Sequence, residues 1–563
     1  MERIWHKYYT KGVPKTLSFR EVTLPEAFQQ AASKYADRPA LIFQDTIVTF
    51  RELEQMVARF ASALKAMGVR PGDRVSLILP NLVQTAVGVY GTMRLGGVAV
   101  MHNPRLDDLQ LEFQLRDAGS TVLICLDVLI PRMLNLRART GVKKIISCHI
   151  RDYLPFLKKQ LFPFVKSQLH MKTPEDANVA EFTELLDTHQ PALRGGFPQL
   201  DDLAFILYTS ATTGRAKGVE LSHRNLSFNV QQARSWFPNF VDGMETVVGC
   251  LPFFHSFGLT CALNMGIFYG FTDILVPLPE PKNIIEAAAK YKPTFMPALP
   301  NLYIAIVNDP KLQKCDLSGL KGCFSGGAPL PLQTIRSFEK LYGVPICEGY
   351  GLTECSPVSH INPLGGKTKV GTIGMPLPDT DAKIVDVSDF QKEITVLGTP
   401  GELCIRGPQI MRGYHNLPEQ TAEALKDGWL LTGDVVTMDA EGYFTVVDRK
   451  KDMIVSEGQK IYPRDVEEVL FSHPKISDAC AIGVRDQEKG EAVKAFVVLK
   501  KGTEATAAEI VAYCQEKLPP HHVPQQVDFI DDLPRSPVGK VLRKELKRRH
   551  LVRSSAGAAK TSR

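Results

Sequence analysis

From residue 24 to 125, short apolar runs of strand length alternate with stretches whose apolar residues recur every three or four positions. This alternation constrains the fold most, because helices interleaved with buried strands pack on the faces of a mostly parallel sheet. Residues 51–67 show the helical half, with Leu53, Met56, Val57, Phe60 and Leu64 on one face. The Arg70-Pro-Gly-Asp turn then separates that helix from a strand-like run over 75–79. The alternation returns between 203 and 350, which predicts a second layered subdomain. A chain of 563 residues, 44% hydrophobic and 23% charged, has material for several packed cores and lies far from disordered or collagen-like composition.

Between about 366 and 447 the pattern changes to short strands broken by Gly and Pro, as in GELCIRG from Gly401 and EGYFTVV from Glu441, which predicts a small β subdomain. The charged run DRKKD from Asp448 separates it from a compact α/β segment ending near His550. Such a run is a hinge or a charged surface turn, and both look alike locally. The expected fold class is therefore α/β: a large N-terminal domain, 1–447, of two layered subdomains plus a small β subdomain, then a small mobile domain, 448–550, and a basic tail, 551–563.

The net charge of +6 is concentrated at the end: residues 543–563 hold eight Lys or Arg against one Glu, so the rest is close to neutral. No nucleic-acid partner is expected from this balance. The tail reads as a solvated helix end or as a contact for anionic lipid. Eleven Cys, scattered from Cys125 to Cys514 without CxxC or zinc-type spacing, read as reduced core residues. With no apolar leader in MERIWHKYYTKG, a cytoplasmic location is expected. The apolar stretch 259–276, interrupted by Asn264 and Asp273, reads as buried core or pocket wall rather than a membrane span. Residues 152–172 interleave Leu and Phe with Lys, while Pro155 and Pro163 argue against one continuous helix. Two readings stand for this segment: a covering loop with an apolar underside, or a weak peripheral contact with an anionic membrane at its inner face.

The strand-like run 203–207 leads into YTSATTGRAKGV from Tyr208. Hydroxyls, a glycine and a lysine after a buried strand supply the N–H groups, hydroxyl donors and mobile cation that polyphosphate needs. The Walker A spacing is absent. Further along come SGGAPL from Ser325, EGYGLTE from Glu348, TGD from Thr432, DR at Asp448 and PRSPVGK ending at Lys540. Together these resemble, in order and spacing, the motifs of the adenylate-forming superfamily of acyl-CoA synthetases, luciferases and adenylation domains. The phrases LPFFHSFGLT, EGYGLTECSP, GPQIMRGYHN and VVDRKKDMIVSEGQKIYPRDVEE look most like bacterial long-chain fatty-acid:CoA ligases.

The resemblance implies ATP, Mg2+ and coenzyme A as cofactor and co-substrates, a fatty acid as substrate, and an acyl-adenylate as intermediate. It implies that Thr209, Ser210, Ala211, Thr212, Thr213, Gly214 and Lys217 hold the β and γ phosphates, and that Thr212 and Glu354 hold Mg2+. Tyr350 would face adenine, with Gly326, Gly327, Ala328, Glu348, Gly349, Gly351 and Thr353 shaping the nucleotide site. Asp434 would accept the ribose hydroxyls, with Arg449 near the same sugar. Lys540 would bridge the acyl carboxylate and α-phosphate in the first half-reaction. The C-terminal domain would then rotate about Lys451 and bring Gly458 toward the pantetheine tunnel. His255 stands either near the reacting end of the acyl tunnel or as a satisfied core residue.

Two positions depart from the family pattern: Ala211 where the loop usually has Gly, and His522 where relatives often carry Lys. Besides a long-chain ligase, the residues admit a ligase for a medium-chain or aryl acid, or an idle relative that only binds nucleotide or acyl chains. The oligomeric state, a homodimer included, is left open.

Overall fold

The computed structural model describes residues 3–191, 196–209, 215–486, 489–535 and 541–550. Two large mixed sheets, mostly parallel, form the N-terminal domain. The nine-stranded sheet runs, edge to edge, through Met375–Pro376, Val358–Ile361, Ile346–Gly351, Gly322–Ser325, Phe295–Ala298, Thr246–Gly249, Thr272–Leu275, Pro39–Phe43 and Thr46–Thr49. The eight-stranded sheet runs through Gly413–Tyr414, Gly218–Ser222, Leu203–Tyr208, Val98–Met101, Arg74–Ile78, Val122–Leu126, Lys144–Cys148 and Val179–Glu181.

The two sequence blocks do not map one to one onto the two sheets. Pro39–Phe43 pairs in parallel with Thr272–Leu275, while Leu203–Tyr208 pairs in parallel with Val98–Met101. Apolar patterning marks a segment as a strand and leaves its partner undetermined, so the exchange was invisible in the sequence.

The expected helix runs over Phe50–Ala66, started by the reciprocal Thr49 and Glu52 capping bonds. Its face buries Leu53, Val57, Phe60 and Leu64 against the central core. Each fully buried side chain of this size contributes roughly 1.5–3 kcal/mol.

The β subdomain consists of Asp381–Val385, Gly401–Arg406, Leu425–Lys426, Trp429–Met438 and Phe444–Arg449. Asp448 and Arg449 still belong to its last strand, where Arg449 lies opposite Asp434. The chain leaves at the 450–452 turn. Beyond it a second five-stranded sheet carries helices Pro463–Phe471 and Ala507–Gln515, with a core of its own around Val466, Leu470, Val493 and Ile510. Arg464 spans the junction: its backbone N–H donates to Asp448 Oδ2 at 2.8 Å and its guanidinium to the Val446 carbonyl at 2.6 Å. Burial pushes the Asp448 carboxyl up to about 6.

The stretch 259–276 is almost wholly buried, through a π-helical turn at Leu259–Asn264 and helix Met265–Tyr269. Among the described residues no helix is long and apolar enough to cross a membrane.

In the segment 152–172 the α-helix is confined to Phe156–Val165, followed by a short 3-10 turn at Ser167–Leu169, and Pro163 lies inside the α-helix's last turn, where the missing N–H removes one intrahelical bond near the end. Its apolar side chains are not folded under. Phe156 is 74% and Phe164 83% exposed, and Leu157, Leu161 and Val165 are exposed beside them. The segment is fastened at both ends to the buried Asp127. Its Oδ2 meets His149 Nδ1 at 2.7 Å and His170 Nδ1 at 3.2 Å, and accepts the Met171 N–H at 2.8 Å. His149 Nε2 lies 3.1 Å from the Glu181 carboxylate.

Candidate active site

The strands Leu203–Tyr208 and Gly218–Ser222 are antiparallel neighbours, so the loop between them is a hairpin connection. The Thr209 N–H donates to the Lys217 carbonyl at 3.0 Å and closes its base. Tyr208 donates its hydroxyl to Asp117 Oδ2 at 2.6 Å, and the Asn416 amide donates to the Asp117 carbonyl at 3.1 Å, which fixes the end of the strand. Ser210, Ala211, Thr212, Thr213 and Gly214 lie outside the described residues. The ammonium of Lys217 sits over the ring of Tyr414, 4.4 Å from its centroid.

The hydroxyl of the same tyrosine donates to Glu354 Oε1 at 2.8 Å. Lys217 and Glu354, 137 positions apart, are thus joined by one aromatic side chain. The Glu354 carbonyl accepts the Met411 N–H at 2.9 Å, which ties the carboxylate's backbone to the segment that leads to Tyr414.

A second group gathers at the end of strand Ile346–Gly351. Tyr350 donates its hydroxyl to Asp434 Oδ2 at 2.6 Å, and Arg449 Nε reaches Asp434 Oδ1 at 3.2 Å. Asp434 is only 4% exposed, and its own N–H donates to Thr432 Oγ1 at 3.1 Å. Burial, reinforced by the Asp434 charge, pushes the Tyr350 phenol far up, so it remains a donor. Gly349 has no room for a side chain because a Cβ there would strike the Phe324 ring. Gly351 is closed in the same way by the Pro357 carbonyl. Gly327 has φ +86, a left-handed conformation that favours glycine, and with Gly326 and Ala328 forms the turn facing this strand.

Glu348, one of the residues expected to shape the nucleotide site, turns its carboxylate to backbone N–H groups. It is buried and accepts the N–H groups of Leu330 and Gly371, each at 3.2 Å. Burial raises its pKa despite those two donors. Its carboxylate is a strut that fastens the turn before Leu330 to the strand.

His255 Nδ1 accepts the Phe257 N–H at 3.2 Å and so caps the next helical turn. Ser256 Oγ lies 3.4 Å from Thr353 Oγ1, which brings the LPFFHSFG segment against the residue before Glu354. Lys451 is exposed in the junction turn, within electrostatic range of Arg449 and Asp434. Gly458, with φ +74, follows Glu457, with φ +51, in the two-residue turn of the first hairpin beyond the junction. Lys540 lies outside the described residues.

The AMP-binding enzyme model matches residues 28–415, and the AMP-binding enzyme C-terminal domain model matches 465–540. The chain belongs to the AMP-binding enzyme family. A long-chain-fatty-acid–CoA ligase of Bacillus subtilis is 40% identical over 552 residues, 97% of this chain and 98% of that protein. ATP-bound MatB from Rhodopseudomonas palustris superposes with a TM-score of 0.83 at 27% identity, over 94% of this chain and 99% of that one. The apo form of the same MatB, over the same shares of both chains, reaches 0.72.

Within this family site, three contributors escaped the sequence reading: Tyr414, Asp117 and Asn416. Tyr414 and Asn416 lie in the quoted phrase GPQIMRGYHN, but nothing local marks one tyrosine in a two-residue edge strand as the partner of Lys217. Asp117 lies 91 positions from Tyr208, in a helix whose sequence carries no motif.

Proposed function

We propose that this chain is a long-chain fatty-acid:CoA ligase that runs two half-reactions at one site. A carboxylate is a poor electrophile for a thiol, so activation comes first. A carboxylate oxygen attacks the α-phosphorus of ATP, the bond to the β-phosphate oxygen breaks, and pyrophosphate leaves. The sulfur of coenzyme A then attacks the acyl carbon, AMP departs with the bonding oxygen, and the thiol proton is released. Both steps concentrate negative charge, so fixed cations and donors do most of the catalytic work.

The observation that carries this reading is the meeting of Lys217 and Glu354 on Tyr414, four residues along the motif from the Tyr350–Asp434–Arg449 group. In this assignment Thr209, Ser210, Thr212, Thr213, Gly214 and Lys217 receive the β and γ phosphates. Tyr350 faces adenine, and Asp434 with Arg449 receives the ribose. Glu354 suits Mg2+, because Tyr414 occupies only one of its hard carboxylate oxygens; with Thr212 it would hold the ion, whose charge offsets that of the phosphates. Lys540 bridges the acyl carboxylate and α-phosphate.

We take the two units expected at 1–447 and 448–550 as fixed and moving, with Asp448 and Arg449 held on the fixed side by their strand pairing, rotation at the 450–452 turn that carries Lys451, and a basic tail over 551–563. The higher score against ATP-bound than apo MatB supports an adenylation-like arrangement. The long-chain preference rests on the B. subtilis relative. Exposed Phe156, Leu157, Leu161 and Phe164, with Lys158 and Lys159 in the same helix, suit reversible contact with an anionic bilayer, where such acids partition.

Pyrophosphate release measured over acids of increasing chain length and aryl acids, with and without coenzyme A, tests the reading. Release should rise toward long chains and require ATP with Mg2+. Preference for an aryl acid would assign a different ligase, and no release with any acid would assign an idle relative.

A further inference from the structure

Tyr414 touches both charged groups of the ATP side. Resting on the ligase reading, we propose that it is a positioning residue: its hydroxyl sets Glu354 for a divalent cation, and its ring face sets Lys217 for phosphate.

The geometry separates the two tasks. The phenol donates to Glu354 Oε1 at 2.8 Å, a charge-assisted bond that restrains the rotation of the carboxylate and engages one of its two oxygens. The Lys217 ammonium lies 4.4 Å from the ring centroid, within the range of a cation–π contact.

The tyrosine is itself held on several sides. Its N–H donates to Thr421 Oγ1 at 2.9 Å, and Gly413 leaves no room for a side chain against Thr421. The edge strand pairs with Val219 and Glu220, immediately after Lys217 and Gly218. The His415 N–H donates to the Gly218 carbonyl at 2.7 Å, and its Nδ1 lies 2.7 Å from Glu220 Oε1. A tyrosine that served only as packing would need neither a hydroxyl aimed at a carboxylate nor a ring under a lysine.

Equilibrium ATP binding to the full chain, by titration calorimetry with saturating Mg2+ and again in EDTA, separates the two parts. In Tyr414→Phe, the factor by which Mg2+ tightens ATP should fall about ten-fold, the scale of one hydrogen bond to a charged group, with the Kd in EDTA within about two-fold of wild type. In Tyr414→Leu, the Kd in EDTA should also rise, by about three- to ten-fold. Phenylalanine should therefore rescue the metal-independent part of the leucine defect. A Tyr414→Phe protein with an unchanged Mg2+ factor overturns the assignment of the hydroxyl, whether or not the leucine variant folds. Equal defects in both variants would overturn the division of labour. Wild-type protein that binds no ATP would instead overturn the ligase reading beneath the inference, and the inference with it.

Discussion

Asp434 and Asp127 are both buried carboxylates that collect partners from distant parts of the chain, yet the two clusters differ in kind. Asp434 is held by a phenol and a guanidinium, Tyr350 and Arg449. The Tyr350 phenol is pushed far up and a guanidinium keeps its charge, so these two contacts with Asp434 are insensitive to pH near neutrality. Asp127 is held by two imidazoles, His149 and His170, and anchors a helix whose apolar side chains face outward. There, burial would lower the pKa of His149, but Asp127 and Glu181 outweigh it and hold the ring up at about 9. One cluster is permanent preorganisation. The other is a fastening that titrates.

The largest effect should come from the lysine that the proposed mechanism sets between the acyl carboxylate and the α-phosphate. Lys540→Ala should slow acyl-adenylate formation by about 10²–10³-fold, as loss of a charge-stabilising donor does, while sparing thioester formation from supplied acyl-adenylate. Equal loss in both half-reactions would end the domain-rotation account. Asp434→Ala should come next. It leaves Tyr350 and Arg449 without their shared acceptor, and the KM for ATP should rise about ten- to hundred-fold with little dependence on pH. A pH-dependent defect would erase the contrast with the Asp127 cluster.

That contrast also shows what the sequence could and could not carry. The α/β class, the small β subdomain and the separate C-terminal unit were legible because periodicity and turn residues are local properties. Lys217, Glu354, Tyr350 and Asp434 were singled out only through their motifs. Their partners were not. Tyr414 acts through a ring face and a hydroxyl that meet residues 197 and 60 positions away, and Asp117 supports Tyr208 from another helix; no local pattern encodes such pairings. Nor does the motif around Glu348 reveal that the Leu330 and Gly371 N–H groups donate to its carboxylate. The exposed helix was masked by Pro163, which a last-turn position tolerates.

Smaller effects belong to the titrating side. The folded pKa of His149, about 9, lies above its unfolded value of 6.5, so its stabilising contribution is complete below 6.5 and is lost as pH rises through 9. Tryptic cleavage within residues 152–172 should therefore be slower in wild type than in His149→Gln at pH 6.5, and the ratio should approach one above pH 9. A ratio constant with pH would show that the ring's charge does not fasten the segment. The smallest change is expected for the helix surface: replacing Phe156 and Phe164 with Ser should weaken pelleting with anionic vesicles a few-fold without altering turnover of a short, water-soluble acid. Undiminished pelleting would remove the helix from the membrane contact.

The account's central claim is that an acyl-adenylate forms and is discharged at one site. Mass spectrometry of the protein mixed with ATP, Mg2+ and palmitate tests it most directly. Without coenzyme A, palmitoyl-adenylate and pyrophosphate should accumulate in proportion to enzyme; on adding coenzyme A, the adenylate should disappear as palmitoyl-CoA and AMP appear in equal amounts. Formation of ADP, or of thioester with no adenylate in the first mixture, would contradict it.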